Sequence, residues 1–146
     1  MKLNTVELVP QDFDRAAILL AESFYDNPSH VYIFPNHTTR LKSLQWGLKA
    51  NLKLNLSSSK SVAKSFALVK TNPSSEKRQI KAMGFWNYPK SDSIGFISKL
   101  KSGWLIMPFK LGKENSQRLE EVIDAMGQIK QKVLGKKKLG ISIIWW

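Results

Sequence analysis

SVAKSFALVKTNPSSEKRQIKAMGFWNYP, residues 61–89, is the stretch whose reading decides the fold class of this chain. SVAKSFALVK (61–70) and RQIKAMGFWNYP (78–89) are rich in the alternating, β-branched and aromatic residues that suit a pleated surface. Between them TNPSSEK (71–77) collects the residues that turn a chain. Two strands joined by a connection of this length predict a β-hairpin, and a hairpin is an antiparallel pair.

Upstream, LNTVELV (3–9) alternates apolar and polar side chains and stops at Pro10, which predicts a third strand. QDFDRAAILLAESFYDNP (11–28) then predicts a helix, with Phe13, Ala17, Leu20, Ala21 and Phe24 at helical spacing. Asp12 is a candidate N-cap, Asp14 favours the positive end of the helix dipole, and Asn27-Pro28 ends the helix. SHVYIFPNH (29–37) reads as an apolar loop. From Thr38, Leu41, Leu44, Leu48, Leu52 and Leu56 form the stripe of a second helix, which gives way to SSSK, a loop.

Downstream of the hairpin, Gly95, Gly103 and Pro108 interrupt residues 93–111, leaving a short helix and then a loop. A long helix follows from Asn115 to Leu134, its stripe made of Leu119, Val122, Ile123, Met126, Ile129 and Val133. Its acids lie near the start and its lysines near the end, matching the dipole, and Gly135 is placed as a left-handed C-cap. Leu139–Trp146 reads as a last strand. The expected fold is one α+β domain over residues 1–146, a mainly antiparallel sheet with helices packed on it.

Composition bounds the function. A chain of 146 residues with 42% hydrophobic content can bury a core, so wholesale disorder is excluded. The absence of cysteine removes disulfides, thiolate nucleophiles and cysteine–zinc sites. No apolar run approaches the roughly 20 residues that span a bilayer, and Met1–Val9 is short and carries Glu7, unlike a secretion signal. The expected location is cytoplasmic, with no membrane partner.

The net charge is +12 and unevenly spread. No acid occurs between Asp26 and Glu76, whereas Arg40, Lys42, Lys49, Lys53, Lys60, Lys64 and Lys70 all fall there. Such a stripe suits nucleic acid, an anionic surface or a polyphosphate, and it equally suits a solvated lysine face.

Catalytic patterns are few. His30 and His37 are the only histidines, and Asp26 is their one local carboxylate, so no metal ligand is assigned and both read as surface or loop residues. There is no G-x-S-x-G elbow, no G-x-x-x-x-G-K-[ST] loop and no strand-anchored G-x-G-x-x-G. Phe34, Phe85, Trp86, Tyr88 and Trp104 could line a pocket or fill the core. Aromatics beside cations in RQIKAMGFWNYP also fit a single-strand nucleic-acid surface, but the glycine-aromatic signature of RNA-recognition sheets is missing.

Taken in order, the segments resemble the first half of the GNAT superfamily of N-acyltransferases. The resemblance rests on PQDFDRAAILLAESFYDNP with its Phe24–Pro28 exit, on YIFP (Tyr32–Pro35) before the second helix, and on AMGFWNYP (Ala82–Pro89). It covers about residues 3–138, and the long helix at 115–134 would precede the family's central strand. It implies acetyl transfer from acetyl-CoA to a small-molecule or peptide amine, with Phe34 and Trp86 supplying one wall of the acceptor pocket.

The family's pyrophosphate loop, [Q/R]-x-x-G-x-[G/A], is absent from these residues. The nearest string, KVLGKK (132–137), starts with lysine and lies at a helix end, where the dipole has the wrong sign for phosphate. Tyr25, Tyr32 and Tyr88 all precede the central strand, so the family's later tyrosine acid has no counterpart. No catalytic or cofactor residue is carried over. The expectation is an acyltransferase-like domain interrupted at GKKKLGISIIWW (135–146) and inactive alone. Two rivals stand beside it: a non-catalytic basic module that binds nucleic acid, and a subunit whose last strand pairs with another chain's sheet.

Overall fold

The computed structural model of the chain describes residues 3–56, 63–72, 75–87 and 101–134. Its elements run β1 (Leu3–Glu7), α1 (Phe13–Ser23), α2 (Pro28–Ile33), α3 (His37–Leu56), β2 (Ala63–Asn72), β3 (Ser75–Asn87), α4 (Met107–Leu111) and α5 (Lys113–Leu134). Single 3₁₀ turns precede α1, at Pro10–Asp12, and α4, at Trp104–Ile106. The class is α+β, as the sequence predicts.

The hairpin of residues 61–89 forms with a shorter connection than expected, because β2 runs on to Asn72 and β3 begins at Ser75. The sheet order is β1-β2-β3 and both pairings are antiparallel. Register puts Val6 opposite Ala67 and Asn4 opposite Val69, while Val69 faces Ile80 and Ala67 faces Met83. Ile80 and Met83 are three apart, so strict alternation would send them to opposite faces. Leu68 pairs with Ala82 and Val69 with Ile80, which leaves Lys81 as an extra residue, a β-bulge. The bulge returns both apolar side chains to the core side, and Lys81 and Ala82 are exposed.

α1 and α3 cover that side. Ala16, Ala17 and Ala21 are buried on α1, and their small side chains let it lie close along Leu44, Leu48 and Leu52 of α3. Phe13, Leu44 and Leu52 are almost fully buried, each worth roughly 1.5–3 kcal/mol of apolar transfer. Leu3, Thr5, Glu7, Lys64, Phe66 and Ala82 are exposed on the sheet's other face.

Three sequence readings are corrected. Residues 29–37 are not all loop, because α2 occupies the first part. α1 has ended before Asn27-Pro28, as expected, but Pro28 also opens the next helix, since at the first helical position its missing N–H costs nothing. Asn27 caps that helix, its Oδ1 accepting from the Ser29 N–H at 3.0 Å and the Ser29 hydroxyl at 2.6 Å. Asn36 repeats the device before α3, accepting from the N–H (3.0 Å) and hydroxyl (2.7 Å) of Thr38. Second, Asp12 stands before α1, but its carboxylate accepts from the Val9 N–H at 3.4 Å and does not cap the helix. Third, the stripe of α5 is buried only in part. Leu119 is covered and Val122 and Ile123 pack on the core, while Met126, Ile129 and Val133 are exposed. Gly135 and the strand expected at 139–146 lie outside the described residues, as does Tyr88.

Candidate functional site

The α2–α3 corner is tied by a cation that the sequence assigns to a basic surface. Arg40 is buried. Its Nε donates to the Phe34 carbonyl at 2.7 Å and its Nη2 to the Pro35 carbonyl at 3.1 Å. The guanidinium lies 5.0 Å from the centre of the Tyr25 ring, whose hydroxyl donates to the His37 carbonyl at 2.9 Å. Two carbonyls and an aromatic face thus replace the water that the charge has lost. The corner fixes the main chain of Phe34.

Phe34 is buried, and its side chain joins a cleft between α2, α3, α4 and α5 of about 480 Å³, open solvent at its mouth included. Ile33, Leu44 and Leu48 give aliphatic wall, Trp46 and Trp104 give indole surface, and Met107, Leu111 and Leu119 close the far side. The indole of Trp46 comes within 3.8 Å of where a Cβ on Gly103 would stand, and Gly103 has φ +84°, a left-handed conformation natural to glycine. Gly47 lines the cleft from the middle of α3, where glycine costs about 1 kcal/mol against alanine. A Cβ built on Gly47 meets no heavy atom within 4 Å, so packing does not require the glycine.

Polar groups on the cleft are His30 and Asn51. His30 is a correction to the reading of both histidines as surface or loop residues: it is in α2 and only 4% exposed, whereas His37 is exposed. Nδ1 of His30 lies 3.2 Å from the Phe24 carbonyl, and the Phe24 ring is 5.8 Å away between centres. Burial pushes the His30 pKa below its ordinary value, and the hydrogen bond to Phe24 opposes this more weakly. The imidazole is therefore neutral at pH 7. Oδ1 of Asn51 accepts from Nδ2 of Asn55 at 3.1 Å, which directs one side of the Asn51 amide.

Of the aromatic set singled out in the sequence, Phe34 and Trp104 meet at this cleft. Trp86 lies on β3 opposite Lys64, and its side chain, like that of Phe85, is outside the described part. Trp46, Gly47 and His30 were missed. Trp46 and Gly47 fall off the leucine stripe of α3, and His30 falls in a segment read as loop. The Asn-Pro-Ser cap at 27–29 was the available signal for that helix.

The basic stripe is divided among elements. Lys49 pairs with Asp14 of α1, Lys42 and Lys53 are exposed on α3, and Lys64 is exposed on β2. Among the described residues no three histidine or carboxylate groups gather as a metal cluster would require. Of KVLGKK, the string nearest to the expected pyrophosphate loop, Lys132, Val133 and Leu134 form the C-terminal turn of α5, the negative end of its dipole. Among the described residues no helix is long and apolar enough to cross a membrane. Comparison with protein-family models, curated proteins and solved structures finds no match for this chain.

Proposed function

We propose that the chain is an amine N-acyltransferase-like domain of GNAT type that supplies acceptor-side structure and, as these 146 residues alone, neither binds acetyl-CoA nor transfers its acetyl group. The observation that carries the reading is the element order: β1, then helices, then the β2–β3 hairpin, all strands antiparallel and α1 and α3 on one face. That is the order the sequence resemblance implies. Phe34, a proposed acceptor-wall residue, lines the cleft, which supports an acceptor role for that surface.

The experiment has two arms. Thermal unfolding with excess acetyl-CoA should leave the midpoint unchanged, because only a ligand of the native state raises it. A clear rise, or acetyl transfer to any amine, overturns the inactive part of the reading. In the second arm, residues 1–134 are fused to the cofactor-binding half of a GNAT enzyme. A folded fusion should acetylate an amine. A fusion that binds acetyl-CoA and acetylates nothing in a broad amine panel removes the acyltransferase reading itself.

A further inference from the structure

α4 is held to the body by one face only. Met107 and Leu111, one turn apart, are buried in the core, whereas Phe109 between them is 89% exposed. Helical spacing sends it to the opposite side, so its exposure belongs to a docked helix and not to loose packing. Leu105 and Ile106, in the 3₁₀ turn just before, are 42% and 47% exposed, and Pro108 is exposed beside them. Exposed apolar residues scattered singly are ordinary, but these follow one another and make an apolar prominence.

Charge and backbone chemistry identify what covers it. Lys101, Lys110 and Lys113 are exposed and flank the prominence in the chain, and the stretch from Lys101 to Lys113 contains no acid. Glu114, the next residue, lies 3.7 Å from Arg118. The complement is a surface that is apolar within and negative at its rim. The backbone is already satisfied by helical turns. The Ile106 N–H donates to the Gly103 carbonyl at 3.1 Å, the Met107 N–H donates to the Trp104 carbonyl, and Pro108 has no N–H. Entry into a weakly polar medium therefore strands few donors.

We propose that this prominence docks the protein on the surface of a bilayer that contains anionic phospholipid. Phe109, Leu105 and Ile106 enter the boundary between headgroups and acyl chains, and Lys101, Lys110 and Lys113 meet the anionic headgroups. A bilayer closes around a convex knob and needs no preformed pocket. The expectation of no membrane partner rests on the lack of a spanning run, which docking at a surface does not require. The proposal goes beyond the acyl-transfer reading and does not rest on it.

The test is co-sedimentation of the full chain with vesicles of phosphatidylcholine alone and of phosphatidylcholine with an equal part of phosphatidylserine. The chain should bind the second kind and not measurably the first. A protein of net charge +12 is drawn to any anionic surface, so the variants decide. Phe109→Ser, which keeps the charge, should weaken binding about tenfold, the lower end of what burying a phenylalanine is worth. Lys101→Gln/Lys110→Gln should weaken it about 20–30-fold, near fivefold for each lysine at the surface. Lys42→Gln/Lys53→Gln, on α3, should weaken it clearly less. All these positions are exposed, so circular dichroism and thermal midpoint should stay native-like. Undiminished binding by Phe109→Ser, or equal loss in the two lysine pairs, overturns the docking surface and leaves general charge attraction alone. Failure of the unaltered chain to sediment with the anionic vesicles overturns it as well, and gives the prominence to a protein partner.

Discussion

At the residue scale, the α2–α3 corner is held from inside by Arg40, whose buried guanidinium donates to the Phe34 and Pro35 carbonyls. Arg40 belongs to an acid-free stretch, and nothing in that pattern separates a solvated cation from one that folds back on its own chain. Its partners are carbonyls, which every residue has, so no complementary side chain announces the contact. Arg40→Ala should lower stability by about 2–3 kcal/mol, since each hydrogen bond from a charged donor contributes roughly 1.5–3 kcal/mol and water recovers part of the loss. Arg40→Lys should not rescue it, because one ammonium cannot reproduce the planar fork. Urea unfolding reads both changes, and a loss below about 0.5 kcal/mol would mean that the guanidinium does not hold the corner. His30 gives a second prediction. Its folded pKa lies below the ordinary 6.5, chiefly through burial. Above that value both states hold a neutral imidazole. As pH falls past it the unfolded chain takes up a proton first, so stability declines until the folded pKa is reached. The loss is then complete. His30→Gln should flatten the stability profile below 6.5, and an unchanged slope would show that this imidazole titrates alike in both states.

At the scale of elements, long stripes were legible and short helices were not. α3 and α5 announce themselves because leucine-type residues repeat over several turns, and the hairpin because period-two patterning flanks turn formers. α2 has six residues and too few turns for a stripe, so only its Asn27-Pro28-Ser29 cap could reveal it. The cleft depends on that short helix, so the burial of His30 has no counterpart in the local pattern, whereas the aromatic character of Phe34 is plain in it. The bulge at Lys81 was invisible for a related reason: pairing across strands is non-local, and a single chain pattern does not state its register. The joint between α4 and α5 yields a prediction at this scale. Gly112 has φ +85° and ψ 152°, a conformation open almost only to glycine. Its carbonyl accepts from the N–H of Ser116 at 3.1 Å and from the Ser116 hydroxyl at 2.9 Å, which opens α5. Gly112→Ala should therefore cost about 1–3 kcal/mol by strain, although a Cβ there meets no neighbour. Gly47→Ala, in ordinary helix, should instead gain about 0.5–1 kcal/mol. Opposite signs in paired denaturant curves confirm the backbone origin; a harmless Gly112→Ala would refute it.

At the scale of the whole molecule, net charge was plain in the sequence but its arrangement was not. Of the cations behind the +12 excess, Arg40 is buried, Lys49 is paired, and Lys42, Lys53 and Lys64 are exposed on α3 and β2. Lys49 pairs with Asp14 and Arg118 with Glu114, all four side chains partly exposed. Pairs of that kind are worth about 0–1 kcal/mol each. Folding draws the surplus lysines closer together than they stand in the unfolded chain, so repulsion opposes the compact state. Salt should relieve it. Between 0.01 and 0.15 M sodium chloride the screening length falls from about 30 to about 8 Å, shorter than the separation of most surface charges. The expected result is a thermal midpoint that rises by a few degrees, since 1 kcal/mol corresponds to about 2–4 °C at this chain length. Chloride is the right anion, because sulfate would also strengthen apolar burial through exclusion from the surface and mix two effects. A midpoint that falls with chloride would show that attractive pairs outweigh the repulsion, and the surplus charge would then be a source of stability.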